Sequence, residues 1–107
     1  MLHLTEHNYD KIIQQSPLPI VVMFYATWCS KCAMMKPIVE ETEKLYAKQI
    51  IFCEIDIDES ISLSEKYGAD TVPTFLFYQN QTLLGAMQGI IDEHQFQRRL
   101  NKIFINS

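Results

Sequence analysis

The chain has 107 residues, which is enough to bury a hydrophobic core in one domain and leaves no room for a second. Nearly half of the residues are hydrophobic and the net charge is −4, so the surface lacks the basic excess that binds nucleic acids and anionic membranes. Three cysteines form an odd and small set, which argues against a secreted scaffold held by disulfides. We therefore expect a single domain over residues 1–107 that binds neither nucleic acid nor membrane.

The first half of the chain alternates between helical and strand patterns. A helix capped by Thr5 is predicted over residues 5–15. The continuous apolar run 20–25 is typical of a strand that is buried on both sheet faces. A long helix is predicted over residues 30–48 and a second buried strand over residues 50–57. The predicted apolar stripe of the long helix contains Met34, Met35, Ile38, Val39, Thr42, Leu45 and Tyr46.

The second half predicts a short helix, two strands and a final helix. The short helix spans residues 60–67 and ends at Gly68, a typical residue after a helix. Strands are predicted over residues 74–78 and 82–88, joined by a turn, and Asp92 is expected to cap the last helix. A β-α-β start followed by β-β-α predicts a mixed central sheet with helices on both faces. The expected fold class is therefore α/β, a three-layer α/β/α sandwich.

Two of the cysteines form a C-x-x-C motif, Cys29-Ser30-Lys31-Cys32, directly after Trp28. The motif falls between the first buried strand and the long helix. Cys29 therefore lies at a helix start, where free backbone N–H groups and the positive end of the helix dipole favour a thiolate. Lys31 is a candidate cation beside it, and Cys32 follows one helical turn later, within reach of the first sulfur. Because a thiolate attacks disulfides, the motif in this position predicts thiol–disulfide exchange.

A C-x-x-C pair is also half of a zinc site, which needs two further ligands at suitable spacing. His3, His7 and His94 are scattered along the chain, and Cys53 stands alone in the middle of an apolar strand. We therefore expect no metal site. Cys53 is expected to be a small buried hydrophobic residue.

Several segments share their residues and spacing with one known family. They are Phe24-Tyr25-Ala26-Thr27-Trp28-Cys29-Ser30-Lys31-Cys32, Pro37, Ile55-Asp56-Ile57-Asp58, Tyr67-Gly68, Val72-Pro73-Thr74-Phe75 and Gly89. On these segments the chain resembles the thioredoxin family over essentially its whole length, without insertion or deletion. The resemblance implies a thioredoxin fold and a redox-active Cys29–Cys32 disulfide that needs no other cofactor.

The resemblance also implies a role for each matching residue. Cys29 corresponds to the exposed nucleophile and Cys32 to the buried thiol that resolves the mixed disulfide. Pro73 corresponds to the family's cis-proline, opposite the cysteines, and the backbone of Val72 is offered to an extended client segment. The shallow apolar binding surface around the sulfurs would consist of Trp28, Val72, Pro73 and Gly89.

Some positions depart from the family pattern. Ser30 and Lys31 stand where thioredoxins have Gly-Pro between the cysteines. Met23 stands where the family has a buried Asp that helps Cys32 to lose its proton, and Glu54 stands where a Lys partners that Asp. We expect Ser30, Lys31 and Glu54 to tune the site, and Glu54 is a candidate substitute proton acceptor for Cys32. These departures favour a weaker reductant than an ordinary thioredoxin, or one with fewer clients.

The leading interpretation is an enzyme, a protein-disulfide reductase that acts on client proteins and receives electrons from a thioredoxin-reductase-like donor. Two alternatives stay open: a thioredoxin-fold binding module with incidental cysteines, and a specialised oxidant or isomerase. The first six residues lack the basic start and long apolar core of a signal peptide, which favours the cytoplasm. The sequence indicates no large exposed apolar patch, so a monomer is expected.

Overall fold

The structure, a computed structural model, describes residues 1–104 and contains a five-stranded sheet. In chain order the elements are β1 (Leu2–His3), α1 (Tyr9–Gln15), β2 (Ile20–Tyr25), α2 (Ser30–Leu45), β3 (Ile51–Asp56), α3 (Ile61–Lys66), β4 (Thr74–Gln79), β5 (Thr82–Gln88) and α4 (Glu93–Phe104). The strand order is β1-β3-β2-β4-β5. β1, β3 and β2 are parallel neighbours, while β4 runs antiparallel to both β2 and β5. The sheet is mixed, as predicted, and β1 is a strand that the sequence pattern does not predict.

Helices cover both faces of the sheet. Successive residues of a strand point to opposite faces, so the side chains of one strand can contact a helix on each side. On β4, the ring of Phe75 lies 5.5 Å from the ring of Phe96 on α4. Tyr78, at a position of opposite parity on the same strand, points to the other face, where its hydroxyl lies 2.5 Å from the Tyr9 hydroxyl of α1. α2 packs beside α4. The fold is therefore the three-layer α/β/α sandwich that the sequence predicts.

The start of α1 differs from the prediction. Thr5 does not cap this helix, which begins at Tyr9. The Thr5 amide donates to the Asn8 side chain at 2.7 Å, and the Thr5 carbonyl accepts from the Tyr9 amide at 3.1 Å. The Thr5 hydroxyl accepts from the His7 amide at 3.2 Å. These bonds close a separate turn ahead of the helix, so the predicted cap was wrong.

α2 is shorter, and its buried face is narrower, than predicted. The helix ends at Leu45 and a turn follows, in which the Ile50 amide donates to the Tyr46 carbonyl at 2.9 Å. Met34 and Leu45, two members of the predicted apolar stripe, are 60% and 64% exposed. The buried residues of α2 are Cys32, Met35, Val39 and Thr42. Ile38 and Tyr46, two further members of the predicted stripe, are partly buried against the core.

Two predicted helix boundaries are confirmed by their backbone geometry. Gly68, just beyond α3, has a φ of +63°, a conformation that favours glycine after a helix. The Asp92 carboxylate accepts a hydrogen bond from the Gln95 amide at 2.8 Å, ahead of α4. The buried side chains of α4 are Phe96, Leu100 and Phe104, and Ile103 is partly buried.

The fold brings two loops together at one end of the central strands. The loop after β2 is fixed by a hydrogen bond from the Cys29 amide to the Ala26 carbonyl at 3.2 Å. The Val72–Pro73 peptide is cis, as the family resemblance implies, and directly precedes β4. Since β4 runs antiparallel to its neighbour β2, the start of β4 lies beside the end of β2. Cys29 and Val72 therefore meet at the same end of the sheet.

Candidate active site

The two motif cysteines lie at the start of α2 and are both free thiols. Cys29 is the N-cap residue, and its sulfur accepts a hydrogen bond from the Cys32 amide at 3.1 Å. This amide is one of the free N–H groups of a helix start, so it favours negative charge on the Cys29 sulfur. The Cys29 thiol also donates to the Val72 carbonyl at 3.7 Å. The structure thus shows the helix-start position predicted for Cys29, whose role as nucleophile stays a prediction.

Both cysteine side chains are largely covered. Cys29 is 9% exposed and Cys32 is 4% exposed, so Cys29 is less open than the resemblance implies. Cys29 nevertheless lines two openings in the surface, whereas Cys32 lines one of them. A partner or a solvent proton can therefore approach the pair by two routes.

The first opening, the outer depression, has a volume of about 340 Å³. Its lining residues are Trp28, Cys29, Ser30, Lys31, Asp70 and Val72. All of these except Asp70 are site residues that the sequence predicts. Lys31 and Asp70 are exposed, and within residues 1–104 neither forms an ion pair. The nucleophile position is thus flanked by an aromatic ring and two opposite charges, a surface suited to a polypeptide segment.

Trp28 forms the rim of the outer depression. Its side chain is 67% exposed, and its indole N–H donates to the Asp58 carboxylate at 2.8 Å. A hydrogen bond that orients an exposed aromatic ring prepares it for contact with a partner. Asp58 is not among the predicted site residues, although it is the last residue of the family segment Ile55-Asp56-Ile57-Asp58. Membership of that segment is the signal that could have identified it.

The other two residues of the predicted apolar surface adjoin the depression through Val72. The Gly89 amide donates to the Pro73 carbonyl at 3.0 Å, which ties the end of β5 to the cis peptide. Gly89 has a φ of +88°, a conformation that side chains disfavour. Pro73 is buried and Gly89 is half-buried, and of the predicted apolar surface only Trp28 and Val72 line the outer depression itself.

The second opening, the inner cavity, has a volume of about 240 Å³. Its lining residues are Met1, Met23, Tyr25, Ala26, Thr27, Cys29, Cys32, Ala33, Lys36 and Glu54. Met23 and Glu54 are paired neighbours on β2 and β3. Met23 is 2% exposed and has no ionisable group, so Glu54 supplies the one carboxylate of the lining. The structure therefore brings Glu54 and both cysteines to the same space.

Cys32 requires a proton acceptor before it can react. Burial raises the pKa of the Cys32 thiol to about 12, and the interaction with the Cys29 thiol adds to the increase. At neutral pH Cys32 is therefore almost entirely a thiol, whereas the attacking species is the thiolate. Glu54, in the same cavity, is the acceptor that the sequence predicts.

Two hydrogen bonds hold the Glu54 carboxylate at the wall of the inner cavity. His3 Nδ1 lies 2.9 Å from Glu54 Oε2, and the Tyr25 hydroxyl donates to the same oxygen at 3.4 Å. Burial and the neighbouring carboxylates raise the pKa of Tyr25 to about 12, so Tyr25 donates as a neutral phenol. Both bonds use Oε2, so Oε1 is the oxygen left to receive a proton. His3 and Lys36 are residues of this region that sequence reasoning did not connect with the site.

Within residues 1–104, no group of three or more His, Cys, Asp or Glu side chains is placed to hold a metal ion. Cys53 is fully buried in β3, which confirms the prediction of a small buried residue, and burial raises its pKa to about 12. No helix in the described residues is long and apolar enough to cross a membrane.

The family model named Thioredoxin matches residues 1–102. The chain belongs to the thioredoxin family. It is 33% identical over 99 residues to Thioredoxin-1 of Caenorhabditis elegans, a match that covers 92% of this chain and 85% of that protein. It is 30% identical over 101 residues to the thioredoxin of Buchnera aphidicola subsp. Baizongia pistaciae, which covers 94% and 93%.

A third relative is longer than this chain. Thioredoxin Y2, chloroplastic, of Arabidopsis thaliana is 32% identical over 96 residues, which cover 90% of this chain and 58% of that protein. Family membership, together with a C-x-x-C dithiol at a helix start, identifies the protein as a thiol–disulfide oxidoreductase. The enzyme class expected from the motif is therefore confirmed.

Proposed function

We propose that this thioredoxin-family protein reduces disulfides in client proteins, with the Cys29–Cys32 pair as its only redox group and a thioredoxin-reductase-like protein as its electron donor. The observation that supports this most directly is the environment of the Cys29 sulfur. This sulfur accepts a hydrogen bond from the Cys32 amide, and Cys29 lines the outer depression. This geometry gives a nucleophile that a polypeptide can approach. The protein acts as a monomer in the cytoplasm, where reductants are supplied.

The reaction proceeds in two exchanges. The Cys29 thiolate attacks one sulfur of the client disulfide, the client S–S bond breaks, and the second client sulfur leaves as a thiolate that takes a proton from solvent. Cys32 then loses its proton and attacks the Cys29 sulfur. The Cys29–client bond breaks, the client leaves as a dithiol, and a Cys29–Cys32 disulfide remains. Two electrons pass to the client, and the electron donor later returns them.

Glu54 takes the proton of Cys32 in the second exchange. The proposal is supported by the raised pKa of the Cys32 thiol and by the shared inner cavity. In single-turnover kinetics, Glu54→Gln is expected to slow the second exchange about tenfold or more and to leave the first unchanged, because general acid–base groups contribute such factors. Glu65→Gln, which alters an exposed carboxylate on α3, is the matched control. An unchanged second exchange in Glu54→Gln would rule out this role.

Insulin reduction tests the proposed function as a whole. The wild-type protein is expected to accelerate the reduction of insulin disulfides by a dithiol, and Cys29→Ser is expected to abolish the acceleration. Cys32→Ser is expected to accumulate a mixed disulfide between Cys29 and the client, detectable by mass spectrometry. If the wild type gives no acceleration and yet binds partners equally well as Cys29→Ser, the protein is a binding module and the proposal is wrong.

An oxidant or isomerase is the second candidate, and it is favoured by Lys31. The Lys31 ammonium lines the outer depression with Cys29 and has no ion pair in residues 1–104, so it favours the thiolate and makes the disulfide more oxidising. The equilibrium reduction potential separates the two functions. A value near about −270 mV is typical of a reductant, and a value above about −200 mV is typical of oxidants and isomerases.

A further inference from the structure

His3 connects the Glu54 carboxylate to a second carboxylate at the edge of the sheet. His3 lies directly opposite Glu54 in the parallel pairing of β1 with β3. Its Nδ1 lies 2.9 Å from Glu54 Oε2, and its Nε2 lies 2.7 Å from Glu59 Oε1. Both ring nitrogens therefore face an oxygen acceptor. These three residues, His3, Glu54 and Glu59, form the His3 triad.

Only the charged form of His3 satisfies both contacts. An imidazolium has two N–H donors, whereas a neutral histidine has one N–H and one lone pair. The hydrogen bonds that His3 donates to the Glu54 and Glu59 carboxylates, together with the negative charges of these groups, raise the pKa of His3 from its ordinary value of 6.5. When the ring loses its proton, one nitrogen turns a lone pair towards a carboxylate oxygen, and that contact becomes repulsive. The triad therefore has different arrangements in its two protonation states.

Of the side chains in and around the His3 triad, His3 is the one that we expect to change charge near neutral pH. Tyr25 remains a neutral donor, because its pKa is raised to about 12. Histidine is the side-chain type that ordinarily titrates in this range. Besides the Cys29 and Cys32 thiols, the other ionisable groups that face the triad or the cavity are Asp56 at the end of β3, Lys36 on α2, and the Met1 amine. The Met1 amine bonds Glu43 of α2 rather than the triad.

We propose that His3 is a positioning residue for the second exchange: when charged it holds Glu54 and Glu59 together and withholds Glu54 from the Cys32 proton, and when neutral it releases Glu54 to accept that proton. This inference rests on the proposed role of Glu54 as the acceptor. Its direction follows from charge, because an imidazolium next to a carboxylate opposes protonation of that carboxylate. The protein therefore completes its oxidation by a client faster once His3 is neutral.

The proton and the electrons balance without any additional reactant. The proton of Cys32 moves to Glu54 Oε1, and the electron pair on the Cys32 sulfur forms the bond to the Cys29 sulfur. The bond from Cys29 to the client breaks, and the client sulfur leaves with its electron pair and takes a proton from solvent. Glu54 then returns its proton to solvent through the inner cavity.

An aromatic disulfide with a coloured thiolate separates the two exchanges. The reduced protein releases one coloured thiolate when Cys29 attacks, and a second when Cys32 resolves the adduct on Cys29. The rates of both phases are measured between about pH 6 and about pH 8.5, the range in which histidines titrate. The proteins compared are the wild type, His3→Gln and His7→Gln. His7 is the matched control, since it is an exposed histidine outside the triad.

In the wild type and in His7→Gln, the rate of the second phase is expected to rise about three- to tenfold as His3 loses its proton above pH 6.5. This step is superimposed on the general increase of the rate with pH. This factor corresponds to the removal of one charge close to a partly exposed carboxylate. In His3→Gln this step is absent, and at about pH 6 the second phase is faster than in the wild type by the same factor. The first phase is unchanged in all three proteins.

Glu59→Gln is a second variant with a different expected signature. It retains His3 and Glu54 but removes one of the two carboxylates that raise the pKa of His3, so the step is expected to move to lower pH. If His3→Gln slows the second phase at every pH, His3 only anchors β1 and the proposal is wrong. If the step persists in His3→Gln, another group titrates and the proposal is equally wrong.

Glu54→Gln distinguishes a failure of this inference from a failure of the acceptor role. If Glu54→Gln leaves the second phase unchanged, the acceptor role of Glu54 is wrong and the inference falls with it. If Glu54→Gln slows the second phase while His3→Gln retains the pH step, the acceptor role stands and the inference about His3 alone is wrong.

Discussion

Met23 on β2 and Glu54 on β3 are direct neighbours in the parallel register, and both line the inner cavity with Cys32. By resemblance, these are the positions of the family's buried acid and its Lys partner. The carboxylate of this chain therefore lies on the neighbouring strand, and its side chain is 18% exposed, whereas Met23 is 2% exposed. A more exposed proton acceptor can contact side chains at the surface that change its affinity for a proton. The contact of Glu54 with His3 is an example.

Met23→Asp is expected to return a carboxylate to the buried strand at a cost in stability. The free energy of unfolding, measured with urea, should fall by about 3 kcal/mol or more, because an apolar side chain is lost from the core and a carboxyl group is buried in its place. The second exchange should then cease to depend on Glu54, so Met23→Asp/Glu54→Gln should react as fast as Met23→Asp.

Met23→Leu is the matched control for this change. It keeps the volume and the apolar character of the side chain, so it should lower the free energy of unfolding by less than about 1.5 kcal/mol. If Met23→Asp were as stable as Met23→Leu, the β2 position would not be buried as described. If the double variant were as slow as Glu54→Gln, the new carboxylate would not reach Cys32.

Sequence predicts the parts of the site that are set by short spacing or by the family pattern. Cys29 and Cys32 are three residues apart at a helix start, so their geometry follows from the helix itself. Val72 and Pro73 could be placed beside them because the family spacing covers the strands between. The domain predicted over residues 1–107 extends past the described residues, so its last positions stay a prediction.

The His3 triad could not be predicted, because its members are far apart in the chain. His3 is separated by 51 positions from Glu54 and by 56 from Glu59. They meet through β1, a two-residue strand that is too short to show a period of alternation. The start of α1 was missed for a local reason, since Thr5 and Asn8 are both favourable cap residues and propensity does not choose between them.

Lys31 is expected to make the Cys29–Cys32 disulfide more oxidising. Lys31→Gln removes the cation that favours the thiolate, so the reduction potential should become more negative by about 5–20 mV, the equivalent of an exposed charge contact. The measurement is equilibration with glutathione buffers at low salt. Lys11→Gln, which removes an exposed charge of the same type on α1, should produce a smaller shift. A positive shift in Lys31→Gln would contradict the assignment of Lys31 as the tuning cation.

Asp58 is expected to orient Trp28 for client binding. Asp58→Ala removes the acceptor of the indole N–H, so the fluorescence anisotropy of the single tryptophan should fall and the KM for insulin should rise about two- to fivefold, the equivalent of one hydrogen bond. Asp58→Asn keeps an oxygen acceptor and should stay close to the wild type. Equal KM values in Asp58→Ala and the wild type would show that the bond does not affect client binding.

Cys53 is expected to be unreactive in the folded protein. An alkylating reagent should modify Cys29 first, whereas Cys53 should react only in denaturant, as peptide mass spectrometry can show. The pKa of Cys53 is raised from 9 to about 12, so the folded state holds the proton more tightly. Its contribution to stability is complete below pH 9 and is lost as pH rises towards 12, with a slope of at most about 1.4 kcal/mol per pH unit.

The slope is compared in a Cys32→Ser background, with and without Cys53→Ala. This background is needed because the pKa of Cys32 is raised in the same direction as that of Cys53. In that background, Cys53→Ala should flatten the fall of the free energy of unfolding above pH 9. The slope is the readout, since the absolute stability also changes when a buried sulfur is removed. An equally steep fall in both proteins would mean that another group is responsible.

The His3 triad also links the attachment of β1 to pH. The pKa of His3 is raised by its two carboxylates, so its contribution to stability is complete below pH 6.5 and is lost as pH rises through the pKa of the folded state. The effect should be below about 1 kcal/mol, because the contacts are exposed to solvent. Urea denaturation in steps of pH should show this loss in the wild type and in His7→Gln but not in His3→Gln. Hydrogen exchange should locate this loss of stability at the amides that pair β1 with β3. A loss that persists in His3→Gln would show that a different group is responsible.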